Sequence, residues 1–93
     1  MNNSSLGAFT NLDRRTMVGH DSVLGDFVTL HPATVLSGHV TVGAFARLGT
    51  CSCVLPNVSI GSSVVVAAGA VVTSSIAEGL TVAGVPAKPI ETR

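Results

Sequence analysis

The chain has 93 residues, of which 46% are hydrophobic and 11% are charged, and its five basic residues balance five acidic ones. This composition excludes the clustered positive charge of a nucleic-acid-binding surface and the high charge of a disordered chain. No apolar run approaches the roughly 20 residues that cross a bilayer, and no segment resembles a signal peptide. We therefore expect one small cytoplasmic domain, whose interior is aliphatic because Trp and Tyr are absent.

The predicted elements begin after residues 1–5, which we expect to cap the first coil or to be disordered. From residue 6 to residue 72, a branched aliphatic residue stands at every sixth position without exception. The residue four positions after each of them is small or β-branched in nearly every case, and glycine directly follows six of the twelve. The twelve residues of this aliphatic ladder are Leu6, Leu12, Val18, Leu24, Leu30, Leu36, Val42, Leu48, Val54, Ile60, Val66 and Val72.

This six-residue period excludes an amphipathic helix, whose apolar face recurs every 3.6 residues. Short strands separated by turn residues at a fixed period predict an all-β fold, a parallel β-helix over residues 6–77, followed by a turn and tail over residues 78–93. We expect each residue of the aliphatic ladder to point inward and the small residue four positions later to fill the adjoining space. The glycines are expected to supply backbone conformations that the corners need.

A second period sets the size of one coil. Phe9, Phe27 and Phe45 are spaced by 18 residues, so three hexads make one coil and residues 6–77 make four. Residues 18 apart then stack about 4.8 Å apart. The sequence leaves open whether the three phenylalanines pack on a corner or belong to a subunit interface.

Two segments resemble the hexapeptide-repeat acyltransferases. The chain closes on a segment similar to the typical ending of these enzymes, Ala83-Gly84-Val85-Pro86-Ala87-Lys88-Pro89-Ile90. The second segment resembles a narrower branch, the sialic-acid O-acetyltransferases and bacillosamine-type amino-sugar N-acetyltransferases. It reads Val18-Gly19-His20-Asp21-Ser22-Val23-Leu24-Gly25-Asp26-Phe27. The resemblance implies a left-handed parallel β-helix, although physical preference alone favours right-handed crossovers. It also implies a homotrimer, acetyl-CoA as the acyl donor, and an amino or hydroxyl group of a small molecule, such as a sugar, as the acceptor.

The resemblance assigns the catalytic base to His20, which stands where the family keeps its catalytic histidine, and the supporting acidic residue to Asp21. A histidine suits this role because it accepts a proton near neutral pH. Stacking by 18 residues places Gly38 above His20, and by resemblance the Gly38 backbone N–H is the candidate oxyanion donor. The same spacing places His39 above Asp21, so His39 either pairs with Asp21 or is an inert corner residue.

One position departs from the family pattern. Family members often carry a second histidine nine residues after the base, where this chain has Thr29. His31 follows two residues later, and alternate residues of a strand share a face. His31 therefore either takes the second role or that role is missing.

The resemblance also implies where acetyl-CoA binds. The family uses backbone groups along the prism edge between two subunits together with the C-terminal turn, and the matching candidates are Ala68, Gly69 and Lys88. Lys88 either meets a CoA phosphate as a point charge or is a solvated lysine of the tail. No glycine-rich motif follows a strand and opens a helix, so dinucleotide binding is not indicated.

The narrower branch usually carries an N-terminal domain that holds the nucleotide sugar. Residues 1–5 are too short for it, so we expect this chain to lack that domain. The lower end of the first coil then needs a cover. Two trimers meeting end to end as a hexamer would supply one, as would residues 1–6 folding across the end.

Two alternatives to an acetyltransferase remain at this stage. One is a non-catalytic trimeric β-helix scaffold that has kept the fold but lost its substrate, or a truncated relative without turnover. The other is a γ-class carbonic anhydrase, which shares the fold and binds zinc through histidines between subunits. The three histidines here are 11 and 8 residues apart, without the closely spaced pair of that family, and Cys51 and Cys53 alone do not make a zinc site. We therefore expect no metal and two reduced thiols.

Overall fold

The computed structural model describes residues 4–90, so residues 1–3 of the predicted cap and residues 91–93 of the predicted tail lie outside the described residues. The described part contains fourteen short strands and no helix, hence no helix that could span a membrane. The strands are β1 (Ser5–Leu6), β2 (Asn11–Leu12), β3 (Met17–Val18), β4 (Val23–Leu24), β5 (Thr29–Leu30), β6 (Val35–Leu36), β7 (Thr41–Val42), β8 (Arg47–Leu48), β9 (Cys53–Val54), β10 (Ser59–Ile60), β11 (Val65–Val66), β12 (Val71–Val72), β13 (Thr81–Ala83) and β14 (Lys88–Pro89).

The strands form three sheets that wind into the predicted parallel β-helix. The first sheet contains β1, β4, β7 and β10, and the third contains β3, β6, β9 and β12. The second contains β2, β5, β8, β11 and β13, with β14 antiparallel at its end. Paired residues from β1 to β12 lie 18 positions apart, as Ser5 and Val23 do. The 18-residue coil is therefore confirmed.

The aliphatic ladder forms the core from the second coil upward. Its nine members from Leu24 to Val72 are at most 2% exposed. The residues four positions later are buried beside them, including Ser22 and Ser52. In the first coil the ladder is in register but not buried, since Leu6 pairs with Leu24 and is 42% exposed. The reason is geometric, since no described coil lies beneath Leu6 to cover it.

The glycines that directly follow ladder residues do not supply the left-handed backbone of the corners, contrary to the prediction. Left-handed backbone occurs three positions after the ladder residues, where non-glycine residues rarely adopt it. Gly19, which directly follows a ladder residue, is small because neighbouring coils approach closely: a Cβ there would lie 2.5 Å from the carbonyl carbon of Ser37. The non-glycine corner residues, with φ between 56° and 66°, are Phe9, Arg15, Asp21, Phe27, Ala33, His39, Phe45, Cys51, Asn57 and Ser63.

The repeat shortens by two residues after Val72. Ile76 bridges Ile60, and Val82 pairs with Val66, each 16 positions along the chain. The prediction that Ile76 fills the space beside Val72 is therefore wrong, because Ile76 takes the next inward ladder position itself. By the 18-residue period Ser75 would stack over Asn57, but the shift moves it. The backbone N–H of Ser59 donates instead to Ser75 Oγ at 3.0 Å.

Candidate functional site

The third corner of the prism, where the third sheet turns into the first, collects four of the predicted site residues. It is built from the turns over residues 19–22, 37–40 and 55–58. Hydrogen bonds join successive turns: the His39 N–H donates to the His20 carbonyl at 3.0 Å, and the Asn57 N–H donates to the Gly38 carbonyl at 3.2 Å. This backbone ladder places Gly38 over His20 and His39 over Asp21, as the 18-residue period predicts.

The side chains of His20 and Asp21, which are neighbours in sequence, contact each other. Nδ1 of His20 lies 3.2 Å from Oδ2 of Asp21. In the tautomer that carries its proton on Nδ1, the ring donates to the carboxylate and leaves Nε2 as an acceptor. Both side chains are exposed, so the pair contributes little to stability. The contact instead orients the imidazole.

Gly38 leaves room on the Nε2 side of this imidazole. A Cβ at this position would lie 3.1 Å from Nε2 and 3.3 Å from Cε1 of His20, closer than side chains normally pack. Within residues 4–90, the Gly38 N–H has no hydrogen-bond acceptor. A free amide beside an open space and a proton acceptor is an arrangement that can stabilise a developing oxyanion.

His39 is the third member of this cluster. Its Nε2 lies 3.9 Å from Oδ2 of Asp21, and its ring stands edge-on to that of His20 with centroids 5.0 Å apart. Of the two roles that the sequence left open, the structure favours pairing with Asp21. One donor atom from each of the three side chains lies within 4.8 Å of the others, so these residues are the described group that can hold a metal ion.

Thr29 and His31 lie on another side of the prism. Thr29 belongs to β5 in the second sheet, the side opposite the third corner. His31 follows in the turn and lines a shallow groove with Arg47, Gly49 and Val65. Within one chain, neither residue joins His20.

Sequence reasoning missed Arg47, which contributes the cationic side chain of this groove. The signal was present, because Arg47 stands 18 positions after Thr29 and pairs with it across β5 and β8.

The predicted acetyl-CoA residues lie toward the other end of the chain. Ala68 and Gly69 occupy the exposed turn at the second corner, between the second and third sheets, where Gly69 has φ 74° and donates its N–H to the Thr50 carbonyl at 2.8 Å. Lys88 is exposed in β14 and pairs with Ala83. These three residues do not converge on His20 within one chain.

The chain is similar to solved structures, whereas no protein-family model and no curated protein matches it. A histidine-to-alanine mutant of GDP-perosamine N-acetyltransferase from Caulobacter crescentus, in complex with CoA and GDP-perosamine, matches with a TM-score of 0.95 and 36% identity over 97% of this chain and 43% of its own. The acetyltransferase domain of PglB from Neisseria gonorrhoeae, in complex with acetyl coenzyme A, matches with a TM-score of 0.84 and 35% identity. The match covers 97% of this chain and 47% of that structure's chain. Serine acetyltransferase from Neisseria gonorrhoeae matches with a TM-score of 0.89 and 31% identity, over 95% of this chain and 38% of its own. The chain thus spans less than half the length of each of these structures.

Proposed function

Because the chain belongs, by its repeat and its left-handed parallel β-helix, to the hexapeptide-repeat acyltransferases, we propose that it transfers an acetyl group from acetyl-CoA to an amino or hydroxyl group of a small molecule. A sugar is the proposed acceptor. This choice is supported by the relative that holds both CoA and GDP-perosamine and by the motif around His20, which resembles the sugar-modifying branch.

The observation that carries the proposal is that the two ring nitrogens of His20 have different surroundings. Nδ1 faces the Asp21 carboxylate at 3.2 Å, while Nε2 faces the space that Gly38 leaves open. A ring held in this way presents an unprotonated nitrogen to a bound acceptor. This is the geometry that a general base requires.

In the proposed reaction, the acceptor nitrogen or oxygen attacks the thioester carbonyl of acetyl-CoA. Nε2 of His20 takes the proton as the new bond forms, and Asp21 stabilises the imidazolium through Nδ1–H. The carbonyl oxygen gains negative charge, and the Gly38 N–H is proposed to donate to it. Collapse of the intermediate breaks the carbon–sulfur bond, and the leaving CoA sulfur takes up the proton held on Nε2 of His20, which regenerates the base.

The proposed assembly is a homotrimer, since a second chain is needed to bring together groups that one chain holds apart. Ala68, Gly69 and Lys88 are proposed to contact acetyl-CoA along the edge between two chains. Thr29 and His31 would then face the third corner of a neighbouring copy. We place the protein in the cytoplasm, where its two free cysteines would stay reduced.

The test is acetyl transfer by the wild type and by His20→Ala across a panel of amino and hydroxy sugars. Removing a general base should lower the rate about 10²–10⁴-fold. His20→Ala should retain acetyl-CoA binding in calorimetry, since the proposed contacts to CoA lie elsewhere. The acetylated product is measured by mass spectrometry, because the exposed Cys51 would react with thiol reagents that detect free CoA.

His31→Ala is the comparison variant, because it removes a histidine on the opposite side of the prism. It is expected to lower the rate less than His20→Ala does. A wild-type rate that persists in His20→Ala would show that the base is wrongly assigned. If the wild type shows neither acetyl transfer nor acetyl-CoA binding, the non-catalytic scaffold is favoured instead.

A further inference from the structure

The cluster at the third corner contains one group that the proposed reaction does not use. Proton transfer needs the imidazole of His20 and the carboxylate of Asp21. His39 adds a second imidazole, whose Nε2 lies 3.9 Å from the same carboxylate oxygen that Nδ1 of His20 approaches at 3.2 Å. Two ring nitrogens and one carboxylate oxygen therefore converge, all within 4.8 Å of one another.

These separations suit a small transition-metal ion. Zinc binds imidazole nitrogen and carboxylate oxygen at about 2.0–2.2 Å, so its ligand atoms stand about 3.4 Å apart in a tetrahedron. The observed 3.2 Å and 3.9 Å lie on either side of that value. The backbone is held by the hydrogen bond from His39 to His20, at 3.0 Å, while the exposed side chains need only small rotations to close on an ion.

We propose that Nδ1 of His20, Oδ2 of Asp21 and Nε2 of His39 bind one divalent transition-metal ion of the zinc type. Two imidazoles and one carboxylate favour Zn²⁺ or Co²⁺ over Mg²⁺, which prefers oxygen ligands. Three protein ligands from one corner of one chain leave the remaining coordination positions to water.

This inference rests on the proposed function only for its effect on transfer. A metal ion on Nδ1 of His20 leaves the ring proton on Nε2, so Nε2 can no longer accept a proton from the acceptor. The same ion takes the Asp21 carboxylate away from its hydrogen bond to the ring. Metal binding would therefore inhibit transfer reversibly, and His39 would make the base sensitive to metal.

Binding is tested directly on untagged, chelator-treated protein, with Zn²⁺ titrated in a calorimeter and Co²⁺ followed by its visible absorption. The wild type should bind one ion per chain and should not respond to Mg²⁺. His39→Asn should weaken zinc binding by at least about tenfold, the lower end of what even indirect changes around a metal site cost. Cys51→Ser is the matched control, since it removes an exposed metal-binding side chain at another corner, outside the cluster, and it should bind as the wild type does.

Failure of the wild type to bind zinc overturns the proposal, and so does equal affinity in His39→Asn. Circular dichroism checks that each variant is folded. If His39→Asn does not fold, the same titration is carried out with Asp21→Asn. In the transfer assay, zinc should inhibit the wild type and a chelator should restore it. His39→Asn, measured against its own metal-free rate, should need about tenfold more zinc. Absence of transfer in metal-free protein counts against the proposed function, while the titration alone decides the metal site.

Discussion

Two buried serines occupy the same position of the hexad but differ in their hydrogen bonds. Ser22 Oγ donates to the Ser37 carbonyl at 3.3 Å and accepts from the Val40 N–H at 3.2 Å. Ser52 Oγ has no partner among residues 4–90. Both side chains are fully buried. The repeat therefore contains a satisfied and an unsatisfied buried hydroxyl at the same hexad position.

We predict opposite consequences when each of these serines is replaced by alanine. Ser22→Ala leaves the buried Val40 N–H without a partner and should lower the free energy of unfolding by about 1–3 kcal/mol. Ser52→Ala removes an unpaired hydroxyl and should change stability by less than about 0.5 kcal/mol, or raise it. Urea denaturation at one fixed protein concentration measures both. Equal losses would mean that Ser52 Oγ has a partner in solution.

At the candidate site, the sequence predicted which residues meet but not how their rings are arranged. His20, Gly38 and His39 were placed correctly because the 18-residue period fixes stacking through the backbone. The edge-on rings, and the open space on the Nε2 side of His20, depend on side-chain rotamers that a repeat does not encode. Arg47 was missed because no motif pointed to its sheet.

At the scale of the strands, the sequence predicted the elements well because one rule generates almost all of them. Each of the twelve two-residue strands β1–β12 ends on a residue of the aliphatic ladder, and a turn follows each of the first eleven. The change of spacing after Val72 was missed because Ile76 fits two patterns, the small or branched residue beside the ladder and the next ladder residue itself. The six-residue step from Ile76 to Val82 was the signal that separates them.

The phase of the repeat makes a further prediction at this scale. Leu48 is fully buried in β8, and Arg47, directly before it, is exposed. Leu48→Ala should cost about 2–5 kcal/mol of unfolding free energy, because it removes buried methyl groups and leaves a cavity. Arg47→Ala should cost less than about 0.5 kcal/mol unless it lies in an interface. Equal losses in urea denaturation would show that the ladder is out of phase.

At the scale of the whole molecule, the three outer faces of the prism differ in character. The first two sheets present serine, threonine, asparagine or arginine among their outward residues, whereas the outward residues of the third sheet are all apolar: Met17, Val35, Cys53 and Val71. The Phe9, Phe27 and Phe45 rings stack along the first corner with centroids 5.1 Å apart. The three rings are exposed within one chain.

The apolar face of the third sheet supports our last prediction, that three copies associate. A chain of 9.3 kDa has a large surface for its volume, and three-fold closure covers the same face on every copy. Sedimentation at micromolar concentration should give three times the mass of one chain. Val35→Lys places a charge on the apolar face and should shift the protein to monomers, whereas Thr41→Lys, on the first sheet, should remain a trimer. A monomeric wild type would contradict the assembly, and a trimeric Val35→Lys would show that another face, such as the phenylalanine corner, forms the contact.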